Sequence, residues 1–300
     1  MYLGLKRILI TGASGLIGSA IVDVLSKNFQ VFAVARNDMW IDKNESRSLE
    51  FVNVDLSDRS CIDQILQIRP DIIIHCAASV PSIEKGDREQ TFIENEQIDQ
   101  NVFKCVGLLN CQLVYMSGTI VYGYLDNQKE INESQQLCPT SWYAKQKVEA
   151  EKIIKEQLNH GLILRINAPY GMGMKETVLM KFLKQAVRGD TILIHGSGSR
   201  CQDFTNTMDI AQFLNNMISK GCIPSGAYNI SNGQPISMKS LAEKIVKITG
   251  QGSAIHTSGL SDNQEGYLAS YSIEKARREL DWNPKIGLDE GIRILWKSLA

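Results

Sequence analysis

Six short, predominantly apolar runs recur over the first half of the chain: Arg7 to Ile10, Val31 to Ala35, Phe51 to Val54, Ile72 to His75, Leu113 to Met116 and Leu162 to Ile166. Longer stretches with helical spacing separate them. The runs do not alternate with polar residues, so each strand must be covered on both faces, as in a parallel sheet flanked by helices. Strands of this kind alternating with helices predict an α/β fold, a Rossmann-type doubly wound parallel sheet. After Arg165 the rhythm breaks. Pro169-Tyr170-Gly171-Met172-Gly173 and Gly196-Ser197-Gly198 concentrate turn-forming residues, and a smaller C-terminal α/β lobe is expected to begin there. Ala227 to Ile230 reads as one more strand returning to the sheet, and Met238 to Thr249 as an amphipathic helix. The expected division is a sheet domain over 1–166 and about 207–232, and a second lobe over 167–206 and 233–300.

Composition adds mainly exclusions. With 300 residues, 43% hydrophobic and 22% charged, the chain can bury a large core. The net charge is −1 and the Lys and Arg residues are dispersed, so no nucleic-acid-binding face is expected. The seven cysteines, without a Cys-x-x-Cys pair, read as reduced thiols in apolar surroundings. No stretch approaches the ~18 apolar residues of a membrane helix, and Met1 to Ile10 reads straight into the first strand without a leader pattern. A cytoplasmic protein with no membrane partner is expected. His75, His160, His195 and His256 lack ligand spacing, and no metal is expected.

Candidate chemistry begins at Thr11-Gly12-Ala13-Ser14-Gly15-Leu16-Ile17-Gly18, between a strand and a helix expected to run to about Lys27. Glycines here let the backbone turn tightly and approach a pyrophosphate, whose charge is met by amides at the helix N-terminus. The second strand ends at Arg36, where an NAD-binding site would carry Asp or Glu for the ribose hydroxyls. A guanidinium there, with Asn37 beside it, suits a 2′-phosphate and points to NADP over NAD; the other reading is a solvated arginine. Tyr143 and Lys147 lie four residues apart on one helical face. An ammonium beside a phenol favours its ionised form, which makes the tyrosine a usable proton donor or acceptor.

Together, TGASGLIG, His75-Cys76-Ala77-Ala78, Ser117-Gly-Thr119-Ile-Val-Tyr122-Gly123 and Tyr143-x-x-x-Lys147 resemble the extended short-chain dehydrogenase/reductase family, in particular its NAD-dependent epimerase/dehydratase group. Leu164-Arg165-Ile166-Asn167-Ala168-Pro169-Tyr170-Gly171, Gln202-Asp203-Phe204 and Leu280-Asp281-Trp282-Asn283-Pro284 extend the resemblance over nearly the whole chain. It implies a nucleotide-linked sugar substrate, Tyr143 as acid/base and Lys147 on the nicotinamide ribose. Gly12, Ser14, Gly15, Leu16, Ile17, Gly18, Arg36, Asp55, Leu56, Ala77, Ala78, Asn95, Pro169 and Tyr170 would then line the cofactor. Thr119, Asn167, Arg200 and Gln202 would face the substrate. It also implies a homodimer through the helices containing Asn95 to Leu109 and Tyr143 to Gln157.

The chain departs from the family pattern in three places. Gly118 stands where the family carries its catalytic Ser or Thr, so Thr119 is expected to supply the hydroxyl, with Ser117 as the other candidate. Ile120-Val121 replaces the acidic pair of dehydratases, which disfavours dehydration. Gln202 replaces one diphosphate-gripping arginine and Asn263-Gln264-Glu265-Gly266 occupies the place of the other, with Arg200 as a possible substitute. Three readings follow: an NADP-linked reductase of a keto group on a sugar-derived substrate, an NAD-dependent nucleotide-sugar epimerase, and a non-catalytic dinucleotide-binding redox sensor.

Overall fold

A computed structural model of the chain describes residues 5–36, 48–81, 86–123, 130–158, 160–221, 223–251, 253–268 and 270–299. Asn37 and Cys222 lie outside the described residues. In chain order the strands are β1 (Arg7–Thr11), β2 (Gln30–Ala35), β3 (Leu49–Asn53), β4 (Ile72–His75), β5 (Gln112–Gly118), β6 (Gly161–Ile166), β7 (Pro169–Tyr170), β8 (Ile192–Ile194), β9 (Cys201–Gln202), β10 (Thr205–Asn206), β11 (Gly226–Ile230), β12 (Ile236–Ser237) and β13 (Ile255–Thr257). The helices are α1 (Leu16–Leu25), α2 (Cys61–Ile68), α3 (Glu89–Leu109), α4 (Trp142–Gln157), α5 (Val178–Arg188), α6 (Thr207–Ser219), α7 (Met238–Thr249), α8 (Glu274–Leu280) and α9 (Leu288–Leu299). The chain divides into two compact units, 1–123 with 136–166 and 210–228, and 124–135 with 167–209 and 229–300.

The first unit is built on a seven-stranded sheet of order β11-β6-β5-β4-β1-β2-β3. Parallel pairing runs from β3 through β6. Successive strand residues point to opposite faces. Leu9, Ile73, Leu113, Tyr115 and Ile163 form one buried layer with Ile62 and Ile65 of α2, Val102, Phe103 and Val106 of α3, and Ile154 of α4. Ile8, Ile10, Ile72, Ile74, Val114, Leu162 and Leu164 on the other face are equally buried. Covering both faces is what the uninterrupted apolar runs require, and each such side chain contributes about 1.5–3 kcal/mol on burial. Two boundaries differ from expectation. β3 begins two residues early, because Leu49 already pairs with Val31, and α1 stops at Leu25, where Asn28 and Phe29 turn back onto the Leu25 carbonyl.

The second unit holds three two-stranded sheets, β7 with β10, β8 with β13 and β9 with β12. α5, α7 and α9 pack on one another. Trp282 is buried, and its indole N–H donates to the Ser231 carbonyl at 2.8 Å.

The cysteines are less uniform than expected. Burial pushes the Cys61 and Cys111 thiols up to about 11 and those of Cys76 and Cys105 to about 12, which keeps them protonated and unreactive. Cys138, however, is exposed, because it sits on an irregular surface segment before α4. No helix among the described residues is long and apolar enough to cross a membrane.

Candidate active site

In the first unit the C-terminal ends of β1 and β4 lie side by side, with Thr11 in register with His75. Gly12 follows at φ 63°, and a Cβ there would lie 2.7 Å from the Ala77 amide nitrogen. The positive φ and the close backbone both require glycine. Gly15 is the N-cap of α1, and no side chain caps that helix. Its first amides are therefore available to an anion. A Cβ at Gly18 would lie 2.2 Å from the Gly12 carbonyl oxygen. Backbone is thus exposed where a side chain would stand, and the loop fits a dinucleotide pyrophosphate. Gly18→Ala is expected to force the loop off α1 at a cost of about 1–3 kcal/mol, seen as a lowered Tm in thermal unfolding.

Behind the loop, polar groups are buried in a continuous hydrogen-bonded set. The Thr11 hydroxyl oxygen accepts from the Cys76 and Ala77 amides at 3.1 and 3.2 Å and lies 2.6 Å from His75 Nδ1. His75 Nε2 is 2.9 Å from Asp99 Oδ1. Asp99 Oδ2 accepts from the Tyr115 hydroxyl at 2.9 Å and from Gln146 Nε2. Lys147 Nζ donates to the Tyr115 hydroxyl oxygen and to the Met116 carbonyl, both at 3.0 Å. His75 thus packs at the floor of the site, and Ala77 and Ala78 are half-buried on the segment that follows β4.

α4 carries Tyr143 and Lys147. Its N-terminus is fixed by Asp87, which accepts from the Trp142 and Tyr143 amides at 2.7 and 3.1 Å, and by Ser141, which accepts from Ala144 at 3.0 Å. An anion there complements the helix dipole. Tyr143 is half-buried, whereas Lys147 is only 2% exposed, with its Nζ 5.7 Å from the centre of the Tyr143 ring. Of the two candidate hydroxyls on β5, Ser117 donates to Glu151 Oε1 at 2.7 Å inside a buried cluster in which Arg165 also grips Glu151 and donates to Tyr122. Ser117 is therefore committed to packing, and Thr119 stands at the start of the single 3-10 turn that follows Gly118. A Cβ at Gly118 would find its nearest neighbours at 3.6 Å, so packing does not require glycine there.

Several expected ligands are otherwise engaged. Leu56 does not face outward; its side chain is in the core layer and its carbonyl accepts from Asn101. Asp55 closes a turn with Ser57, whose hydroxyl and amide, opposed only weakly by burial, hold the carboxyl below the ordinary range, with help from Arg36. Arg36 itself is exposed at the end of β2. Asn95 is buried and clamps Ser79, accepting from its amide at 2.6 Å and donating to its carbonyl at 2.9 Å, so it shapes the segment after β4.

The second unit carries the other expected residues. Asn167 is buried and donates to the Asp203 carbonyl at 2.9 Å. Tyr170 turns its ring inward against Phe204 and Gly291, and burial raises its phenol to about 12, which leaves Pro169 as the more exposed of the two. Arg200 pairs with Asp262 at 2.7 Å and donates to Gln264 at 3.2 Å. Gln202 is half-buried in β9, opposite Ile236. Sequence reasoning did not pick out Asp99, Tyr115, Gln146 or Glu151. The available signals were spacing alone: Asp99 is four residues after Asn95, and Glu151 four after Lys147.

The chain is 28% identical to a putative UDP-glucose 4-epimerase of Methanocaldococcus jannaschii, over 95% of this chain and 96% of that one. It is also 28% identical to the dTDP-4-dehydro-6-deoxyglucose reductase of Escherichia coli, over 97% of each. The fold superposes on the UDP-N-acetylglucosamine 4-epimerase of Methanobrevibacter ruminantium, solved with UDP-N-acetylmuramic acid, with a TM-score of 0.86 at 22% identity over 99% of both chains. Residues 8–231, which span the glycine loop, the buried polar set and the Tyr143 and Lys147 pair, match the model of the NAD dependent epimerase/dehydratase family, and the chain belongs to that family.

Proposed function

We propose that the protein is a nicotinamide-dependent reductase of a keto group on a sugar-derived substrate. One observation carries the reading: the buried ammonium of Lys147, held by Tyr115 and Met116, beneath the half-buried Tyr143. A lysine is rarely buried this fully without a specific task, because desolvating its charge is costly. A nicotinamide dinucleotide, when bound, supplies the hydride. Gly12, Gly15 and the first turn of α1 hold its pyrophosphate, and Ala77 and Ala78 line its path. Tyr143 gives a proton to the substrate oxygen, the fixed charge of Lys147 stabilises the oxygen left behind, and Thr119 hydrogen-bonds the substrate oxygen as negative charge develops. The sugar substrate is supported by the UDP- and dTDP-linked sugars in the relatives' names. The pairing of Arg200 with Asp262 favours a substrate that does not depend on Arg200 to grip a diphosphate. A homodimer through α3 and α4 belongs to the same reading.

NADP is proposed over NAD because Arg36 stands exposed at the end of β2, in the place where an NAD-binding site would carry Asp or Glu. Arg36→Asp is expected to weaken NADPH binding at least about tenfold and to favour NADH, since a paired charge is replaced by a like charge. Fluorescence titration with both dinucleotides measures it, and an unchanged ratio would make Arg36 a bystander. The epimerase relative supports a second reading, in which the same Tyr143 and Lys147 serve transient oxidation and the cofactor is retained. Denaturing the purified protein and identifying any released dinucleotide separates the two. Exchangeable NADPH supports the reductase, and tightly held NAD the epimerase. Binding without turnover on a broad panel of carbonyl and sugar substrates would replace both with a sensor.

A further inference from the structure

The buried set behind the glycine loop has a direction that its two ends determine. At one end, the Thr11 oxygen already accepts two backbone amides, which uses both its lone pairs. Its proton must therefore go to His75 Nδ1, so the ring carries its own proton on Nε2 and gives it to Asp99. At the other end, Lys147 can only donate, so the Tyr115 oxygen accepts from it and the Tyr115 proton goes to Asp99. Gln146 Nε2 donates to the same carboxylate, while its Oε1 is left without a partner. Every link points toward Asp99. Burial, and then the charge of Asp99, push the Tyr115 phenol well above its ordinary value, in keeping with its role as a proton-bearing bridge.

None of Thr11, His75, Asp99, Tyr115, Gln146 and Lys147 is more than 3% exposed. At its Thr11 end the set stops on the Cys76 and Ala77 amides beneath the glycine loop, and at its other end on the buried ammonium of Lys147. The set is suited to holding a charge in place. With His75 neutral, Asp99 and Lys147 are its two charges, joined through one phenolic oxygen in a low-dielectric interior where such coupling is strong.

We propose that Asp99 is the positioning residue of the site: it is the buried counter-charge that, through Tyr115, fixes Lys147 beneath Tyr143, and through His75 and Thr11 ties that lysine to the floor of the glycine loop. The inference rests on the proposed role of Lys147, but it is tested without substrate or cofactor. In the full chain labelled with 15N lysine, the Lys147 ammonium, assigned by its loss in Lys147→Arg, is expected to give a resolved signal protected from solvent exchange at mildly acidic pH. Asp99→Asn and Tyr115→Phe are both expected to abolish that signal in protein that remains folded. A packing role for Asp99 would lower the melting temperature and leave the signal unmoved, which would overturn the proposal. If Asp99→Asn does not fold, Tyr115→Phe, which keeps the ring and removes only the bridging hydroxyl, decides the matter. A second label, 15N histidine, reads the direction of the set: His75 is expected as the neutral ring protonated on Nε2, and an Nδ1-protonated or doubly protonated ring would also overturn it. Absent turnover with the Lys147 signals as expected would count against the reductase reading alone.

Discussion

Tyr143→Phe is expected to lower turnover by about 10²–10⁴-fold, the usual contribution of a positioned acid or base, while dinucleotide affinity changes little. The substitution removes one hydroxyl and leaves what holds the residue in place. The Tyr143 amide stays on Asp87, Ser141 still caps α4, and the ring keeps its position near Lys147. Lys147 is bonded to Tyr115 and Met116 and not to Tyr143, so its position does not depend on the missing oxygen. Steady-state rates and a fluorescence titration on the same preparation measure the two quantities. A variant as active as the parent would remove Tyr143 from the chemistry. One that also lost dinucleotide binding would mean that the hydroxyl serves the cofactor.

Arg165→Met is expected to destabilise the fold by about 3–5 kcal/mol at neutral pH, the cost of leaving a buried charge without its partner. Arg165 Nε donates to Glu151 Oε1 at 3.0 Å and Nη2 to Oε2 at 2.6 Å, and both side chains are within 2% of full burial. Burial on its own would raise the Glu151 carboxyl, but the hydrogen bonds and charge of Arg165, with Ser117 and Lys155, outweigh it and hold the carboxyl below its ordinary value. A depressed carboxyl stabilises the fold above its unfolded pKa of about 4.3, and that contribution is lost as pH falls through the lower folded value. In the variant the burial effect is no longer offset by Arg165. Protonating Glu151 then relieves the unpaired charge, so the difference between parent and variant should narrow on acidification from neutral pH. Urea unfolding at several pH values tests this. A gap independent of pH would mean that lost packing of the arginine side chain, and not the stranded carboxylate, sets the cost.

The apolar runs from Arg7 to Ile166 determined the parallel sheet, because a strand apolar on both sides is stable only when covered on both faces. The glycines at 12 and 18 determined the loop, because a Cβ at the first would run into the Ala77 backbone and one at the second into the Gly12 carbonyl. The four-residue separation of Tyr143 and Lys147 placed both on one helical face. These are local consequences of residue type and period. What the sequence did not contain is which polar side chain meets which. Leu56 and Tyr170, expected at a ligand, are buried in packed layers. Ser117, a candidate hydroxyl, is taken by Glu151, and Arg200 is paired with Asp262. Tyr115 of β5, absent from any motif reading, meets Lys147 directly, and Asp99 of α3 reaches it through the Tyr115 hydroxyl. Such pairings join positions tens of residues apart, and a hydrogen bond depends on tenths of an ångström. Only the packing of α3 and α4 against the ends of β4 and β5 brings those atoms within reach, so the sequence determined the scaffold and the placing of Tyr143 and Lys147 on one helical face, and the tertiary structure decided what holds Lys147 in place.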